Sequence, residues 1–345
     1  MSYASASAIS DKAHKIFSRL KKVISSQELD EDLYVKDDVA YIPDVHGDFI
    51  HLALTLYRHG LIDKNLELVA GHKYVFLGDI YDRAPDSDVI DYWLNNQINN
   101  NKEIYRLIGN HELAFFLRGE DGSPIIFPSQ DSIKDISNNF CLTEQLLQGI
   151  ASGHMLAAYV DETNTKGESV TLYVHSYVTD DDFLRLGLDA DSDIVPFAQK
   201  LNERFKKLGE NALGIFQDGK KSKTYHWKSI MEVFHKDSLF DFYGRKNDID
   251  TSFIWRRTGL PLLKTYPAAL DVSIPNNVYQ IVGHTPVFLF NLPSKQPTNV
   301  PFVLSASAGN GKVQFSDVGI GYYYREDDLA RPSVIINKDR AIEVT

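Results

Sequence analysis

The stretch YRLIGNHELAFF, residues 105–116, starts as an apolar strand and continues as an apolar helix, with Asn110, His111 and Glu112 at the corner between them. A turn or a helix cap accounts for one polar residue at such a corner; an amide, an imidazole and a carboxylate together call for partners elsewhere. The same design recurs upstream. DVAYIPDVHGD (38–48) leads into FIHLALTLYRHG (49–60), HKYVFLGDIYDR (72–83) into SDVIDYWLNNQI (87–98), and EIYRLIGNHE (103–112) into LAFFLRG (113–119). Strand-like runs alternating with helical ones predict an α/β architecture with parallel strands.

Further strands are expected at SVTLYVHSYV (169–178), NVYQIVGHTPV (277–287) and VPFVLSA (300–306), with a terminal hairpin in SVIINKDRAIEV (333–344). Between the first two of these, residues 182–250 have another character. Ile194, Phe197, Leu201, Phe205 and Leu208 recur at helical spacing, and a second helical segment runs through 227–242, so this region reads as a helical insertion in a domain spanning 36–345. Ile9, Ala13, Ile16, Phe17, Leu20 and Ile24 form one face of an amphipathic helix within residues 1–30 that docks on the main body.

Composition narrows the function. The chain has 345 residues and a net charge of −11, from 36 basic and 47 acidic side chains, and no basic tract, which disfavours nucleic acid as a partner. No apolar run reaches the roughly 20 residues needed to cross a bilayer, and the charged N-terminus lacks the apolar stretch of a signal peptide. A cytoplasmic protein is expected, or one secreted into a host cell if it is an effector. The single cysteine, Cys141, excludes an internal disulfide and suits a reducing compartment. It also argues against a thiol phosphatase, because Leu147 stands where the cradle arginine six residues on would be.

Five strand-like runs end in metal-ligand chemistry: Asp44 with His46, then Asp79, Asn110, His175 and His284. In open α/β sheets the carboxyl ends of strands converge on one crevice. Six such donors suit two divalent cations, and the mixture of His, Asp and Asn favours Mn, Fe or Zn over an all-oxygen Ca site. Asp79, in the middle of the set, is the natural bridging carboxylate.

The motifs Asp44-Val45-His46-Gly47, Gly78-Asp79-Ile80-Tyr81-Asp82-Arg83, Gly109-Asn110-His111-Glu112, His175-Ser176 and Gly283-His284-Thr285-Pro286 resemble those of the phosphoprotein phosphatase (PPP) family of calcineurin-like metallophosphoesterases. The resemblance covers roughly residues 39–320, and GHTP (283–286) and IWRR (254–257) are more similar to the bacterial branches. The N-terminal helix and the insertion are similar to the Wip-type effector phosphatases of Legionella. Pro43, Ala84 and Ser176 stand in place of the family's glycines, and Ile108 in place of an arginine. The resemblance implies a four-layer αββα sandwich and a metal-dependent phosphoprotein phosphatase that carries two divalent ions, Mn first and Fe or Zn as alternatives.

One ion would be held by Asp44, His46 and Asp79, the other by Asp79, Asn110, His175 and His284. Two ions about 3.5–4 Å apart share a water and acidify it for direct attack on phosphorus. Arg83 and Arg257, or its neighbour Arg256, would bind the phosphoryl oxygens. His111, held by Asp82, would protonate the leaving oxygen, and Glu112 would serve the start of the following helix. The substrate would be a phosphoprotein carrying phosphoserine, phosphothreonine or phosphotyrosine. A symmetrical dinucleoside tetraphosphate hydrolase would share every ligand, and a non-catalytic phospho-binding module would keep the pocket alone. Nothing in the sequence sets the oligomeric state.

Overall fold

The computed structural model describes residues 6–27, 29, 31–116, 140–162, 170–241, 252–254, 256, 274–275, 278–284, 303–308, 311–317 and 341–344. Strands β1 (Val39–Ile42), β2 (Lys73–Phe76) and β3 (Glu103–Leu107) pair in parallel in that order, and the short β4 (Met155–Leu156) adds to β3. The chain then crosses at Ala157 into a second sheet. There β5 (Ala158–Asp161) pairs antiparallel with β6 (Thr171–Val174), which lies parallel to β7 (Tyr279–Val282). Strands β9 (Gly311–Phe315), β8 (Val303–Ala308) and β10 (Ala341–Val344) complete it in that order. The crossing is pinned from outside: the Asn202 side chain accepts from the amides of Ala157 and Ala158 and donates to the Ala158 carbonyl.

Alternation along β3 shows how the layers stack. Tyr105 meets Tyr159 of β5 with ring centroids 4.1 Å apart, whereas Arg106, one residue on, points the other way to Asp91 of α3 (Ser87–Asn99). One face of the first sheet therefore packs on the second sheet and the other on helices, as the two-residue period of a strand requires. Tyr41 of β1 reaches across to Gln314 of β9, and Tyr279 of β7 donates to the same amide. The far face of the second sheet is also covered, with Leu172, Val174, Gln280 and Val282 all buried. The fold is the two-sheet α/β sandwich expected of the calcineurin-like class.

The helices that follow β1 and β2 begin beside the strand ends. α2 (Phe49–Arg58) is capped by Asp48, whose carboxylate accepts from the His51 amide at 3.0 Å. α1 (Ala6–Ser25) packs on α2 and α3 through buried Ala13, Leu20 and Ile24, and its Phe17 lies 5.2 Å from Phe49. α4 (Asn110–Ala114) is a single turn opening at Asn110. α5 (Phe140–Ser152) and α6 (Asp180–Arg185) come before the long α7 (Ile194–Ser222), which buries Ile194, Phe197, Leu201 and Phe205. α7 packs against α5, β5 and α8 (Trp227–His235). Of the terminal hairpin, β10 pairs in parallel with β8, and residues 333–340 lie outside the described residues, as do Arg257 and 242–250 of the insertion.

Candidate metal centre

Five strands, three parallel in the first sheet and two parallel in the second, deliver their following residues to one place. Asp44 and His46 follow β1, Asp79 follows β2, Asn110 opens α4 after β3, His175 follows β6, and His284 follows β7. All six are at most 2% exposed. The loops that carry them are bent tightly. His46, Asp79, Asp82, Arg83 and His284 all have positive φ, between 48° and 79°. For residues with a side chain this costs on the order of 1 kcal/mol or more each, and clustering of such residues is a mark of functional sites. Close approach explains two glycines: a Cβ on Gly109 would sit 2.2 Å from the Asp79 Oδ1, and one on Gly283 would sit 2.2 Å from the Asp44 Oδ1.

Asp79 presents its two oxygens to two sets of donors. Oδ1 lies 3.5 Å from His175 Nε2, and Oδ2 lies 3.9 Å from His46 Nε2 and 3.8 Å from His111 Nε2. Asp44 Oδ2 is 3.9 Å from His46 Nε2 on its other side. These separations are too long for hydrogen bonds. They approach the roughly 3–3.4 Å expected between two donors of a shared ion with bonds near 2.1 Å. Two trios could each hold a metal ion: His46, Asp79 and His111, and Asp79, His175 and His284. The first includes His111 where the sequence reading has Asp44. Asp44 instead receives the His284 amide on both oxygens, at 3.0 and 3.1 Å, which ties the first strand end to the last.

The donors are prepared for a cation. His175 Nδ1 donates to the Leu77 carbonyl at 2.9 Å, so a neutral ring turns a bare Nε2 lone pair inward, 2.9 Å from Asn110 Oδ1. A backbone carbonyl behind a histidine is the usual support of a metal ligand, and two facing acceptors are reconciled by an ion between them. Burial, followed by Arg83 and the other histidines, pushes His46 well below the usual range, which keeps it neutral. Burial, then Asp317 and then Asp79, push Asp44 well above the carboxylate range. A buried cluster of carboxylates with neutral imidazoles fits divalent cations.

Beside this cluster, His111 Nδ1 donates to Asp82 Oδ2 at 2.6 Å, and Arg83 Nη2 lies 3.2 Å from His111 Nε2. Arginine only donates, so in this contact Nε2 accepts while Nδ1 faces the Asp82 carboxylate. Arg256 departs from the phosphate-binding expectation. It is 3% exposed, and its guanidinium grips both oxygens of Asp182 and the Tyr177 carbonyl. The Arg256 carbonyl accepts from Ser176 Oγ, so this serine fastens the loop after His175.

Two further residues carry the site. Glu112 is not only a helix-start residue. Its carboxylate accepts the amides of Asp79, Ile80, Tyr81 and Gly109 at 2.8, 2.8, 3.2 and 2.7 Å, welding two of the motifs together. Burial and then Asp79 push Glu112 up to about 7, and the backbone donors oppose this. Four N–H donors match the ionised form, which only accepts. Asp317, just beyond β9, is fully buried and, after burial itself, acts most strongly to raise the Asp44 carboxyl. Its signal in the sequence is one more strand, KVQFSD, ending in a carboxylate.

No protein-family model and no curated protein matches the chain. Solved structures do. The cold-active protein-tyrosine phosphatase of a psychrophile, Shewanella sp., is 16% identical, with a TM-score of 0.46 over 86% of this chain and 78% of that one. The phosphatase domain of the Legionella effector WipB is 13% identical, with a TM-score of 0.36 over 78% of this chain and 96% of its own. A protein serine/threonine phosphatase from Saccharomyces cerevisiae with similarity to human phosphatase PP5 is 13% identical, with a TM-score of 0.39 over 89% and 77%. At this level the chain is similar to these proteins, and they assign it to no family.

Proposed function

We propose that the protein is a metal-dependent phosphoprotein phosphatase with two divalent ions, Mn first among the candidates. The observation that carries this reading is Asp79, whose two oxygens face separate donor sets beside a His–Asp pair and an arginine. When bound, the ions polarise the phosphoryl oxygens and acidify water at the site. Asp44, His46 and Asp79 would hold one, and Asp79, Asn110, His175 and His284 the other.

The chain's own residues supply the rest. Arg83 is half-buried beside His111, and its planar fork suits the oxygens of a phosphoryl group. An arriving phosphate draws that guanidinium away from His111, which frees Nε2 to take up a proton. Asp82 fixes the ring through Nδ1 and stabilises its charged form, so His111 can pass the proton to the leaving oxygen. Arg257 is the second candidate for the phosphoryl oxygens, and the Arg256–Asp182 clamp anchors the chain one residue before it.

His111→Asn tests the acid role through the leaving group. Release from an alkyl phosphate is expected to fall by about 10²-fold, and from p-nitrophenyl phosphate by less than about 10-fold, because nitrophenolate leaves without a proton. Equal losses on both substrates would remove His111 from the acid role. The reading as a whole is tested with matched phosphotyrosine and phosphothreonine peptides, assayed with Mn and with chelator. Metal-dependent release supports it, and the ratio of rates assigns the substrate class. Release from diadenosine tetraphosphate alone would replace it by the nucleotide reading.

A further inference from the structure

Asp82 and Arg83 both occupy left-handed backbone, with φ of 79° and 65°, so the turn that bears them must be held by its surroundings. On its inner side it is stitched to the His46–Gly47 turn. The Ala84 amide donates to the His46 carbonyl at 2.9 Å and the Asp86 amide to the Gly47 carbonyl at 3.0 Å, while Ser87 Oγ at the start of α3 closes the turn by accepting from the Asp82 amide at 3.0 Å. On its outer side it meets a residue more than 70 positions earlier. Lys12 Nζ donates to the Pro85 carbonyl at 2.5 Å and to Asp88 Oδ1 at 2.7 Å, with Asp86 Oδ1 at 3.4 Å. This one ammonium reaches two groups of the turn, Pro85 and Asp86, and Asp88 in the first turn of α3.

Its setting makes the contact more than a surface ion pair. Asp86 is 4% exposed, and burial pushes its carboxyl up to about 6 against the opposing pull of Lys12, its nearest cation. Removing the ammonium would leave a buried carboxylate without its counter-charge, on a segment that already carries strained backbone. Lys12 is itself fixed, because α1 is seated by Ala13 beside it and by Leu20 and Ile24 further along.

We propose that Lys12 is a positioning residue: from α1, outside the strand-end site, it holds the Asp82–Arg83 turn and through it the His111 proton donor and the phosphate-facing guanidinium. The catalytic consequence rests on the phosphatase reading above, whereas the hold on the turn does not. Two measurements on the full chain separate them. In Lys12→Met, hydrogen exchange at the amides of Asp82, Ala84 and Asp86 accelerates about tenfold or more, while Val75 and Phe76 of β2 keep their wild-type rates and Lys12→Arg restores the turn. Unchanged exchange, or an acceleration shared equally with β2, overturns the proposal. In kinetics, Lys12→Met loses about tenfold more kcat on phenyl phosphate than on p-nitrophenyl phosphate, and Lys12→Arg regains it. An equal loss on both would overturn the link to the proton donor. A wild-type protein that releases no phosphate with Mn would instead sink the phosphatase reading and leave the exchange result to decide the hold.

Discussion

Asp79→Asn is expected to lower phosphate release by about 10³-fold or more while leaving the metal-free fold standing. The amide keeps one oxygen, and the His111 N–H that Asp79 Oδ1 accepts at 2.8 Å holds it in place. Its NH2 then takes the position of Oδ2, facing His46 and His111, where a donor cannot serve as a ligand. Without ions, the lost negative charge removes one of the groups that repel Asp44, so stability has no reason to fall. With Mn, the wild-type melting temperature rises by mass action and that of the variant rises less. Circular dichroism melts with and without Mn, beside the phosphate assay, read both outcomes. A variant that melts far below the wild type in chelator would make Asp79 a folding residue first.

Glu112→Gln has the largest expected effect on stability of any isosteric change in the site. Oε2 serves the amides of Asp79 and Gly109, and Oε1 those of Ile80 and Tyr81. Glutamine keeps one oxygen and turns an NH2 toward the other two buried N–H groups. Each donor left without an acceptor costs about 1–3 kcal/mol, so about 2–6 kcal/mol is expected, and for a chain of this length the melting temperature falls by about 3–8 °C. Asp79 and Gly109 sit in the loops released by this change, so metal affinity should weaken as well. A variant that melts and binds Mn like the wild type would mean that the four bonds are not needed to join the two motifs.

The strand ends were legible because each is local: a buried run, a tight turn and a ligand within three residues. Alternation of strand and helix then placed Asp44, Asp79 and Asn110 at the same end of a parallel sheet. What escaped the sequence depends on distance along the chain. Arg256 reads as a phosphate ligand beside Arg257 until Asp182, 74 residues earlier, is seen to hold it. Glu112 reads as a helix-start residue because three of its four amides come from a loop about 30 residues upstream. Lys12 reads as one more charge on the polar face of an amphipathic helix, and its partners at Pro85 and Asp88 follow only from how α1 lies across α3. Asp317 ends a strand like the others, but no neighbouring motif drew attention to it.

The central claim is that Asp79 joins two ion sites, and equilibrium dialysis against Mn tests it most directly when the same samples are assayed for phosphate release. The wild type should hold two Mn per chain and lose its phosphate release with chelator, whereas Asp79→Asn should hold fewer than two and release none. Full release by a wild type stripped of metal, or two Mn retained by an active Asp79→Asn, would contradict it.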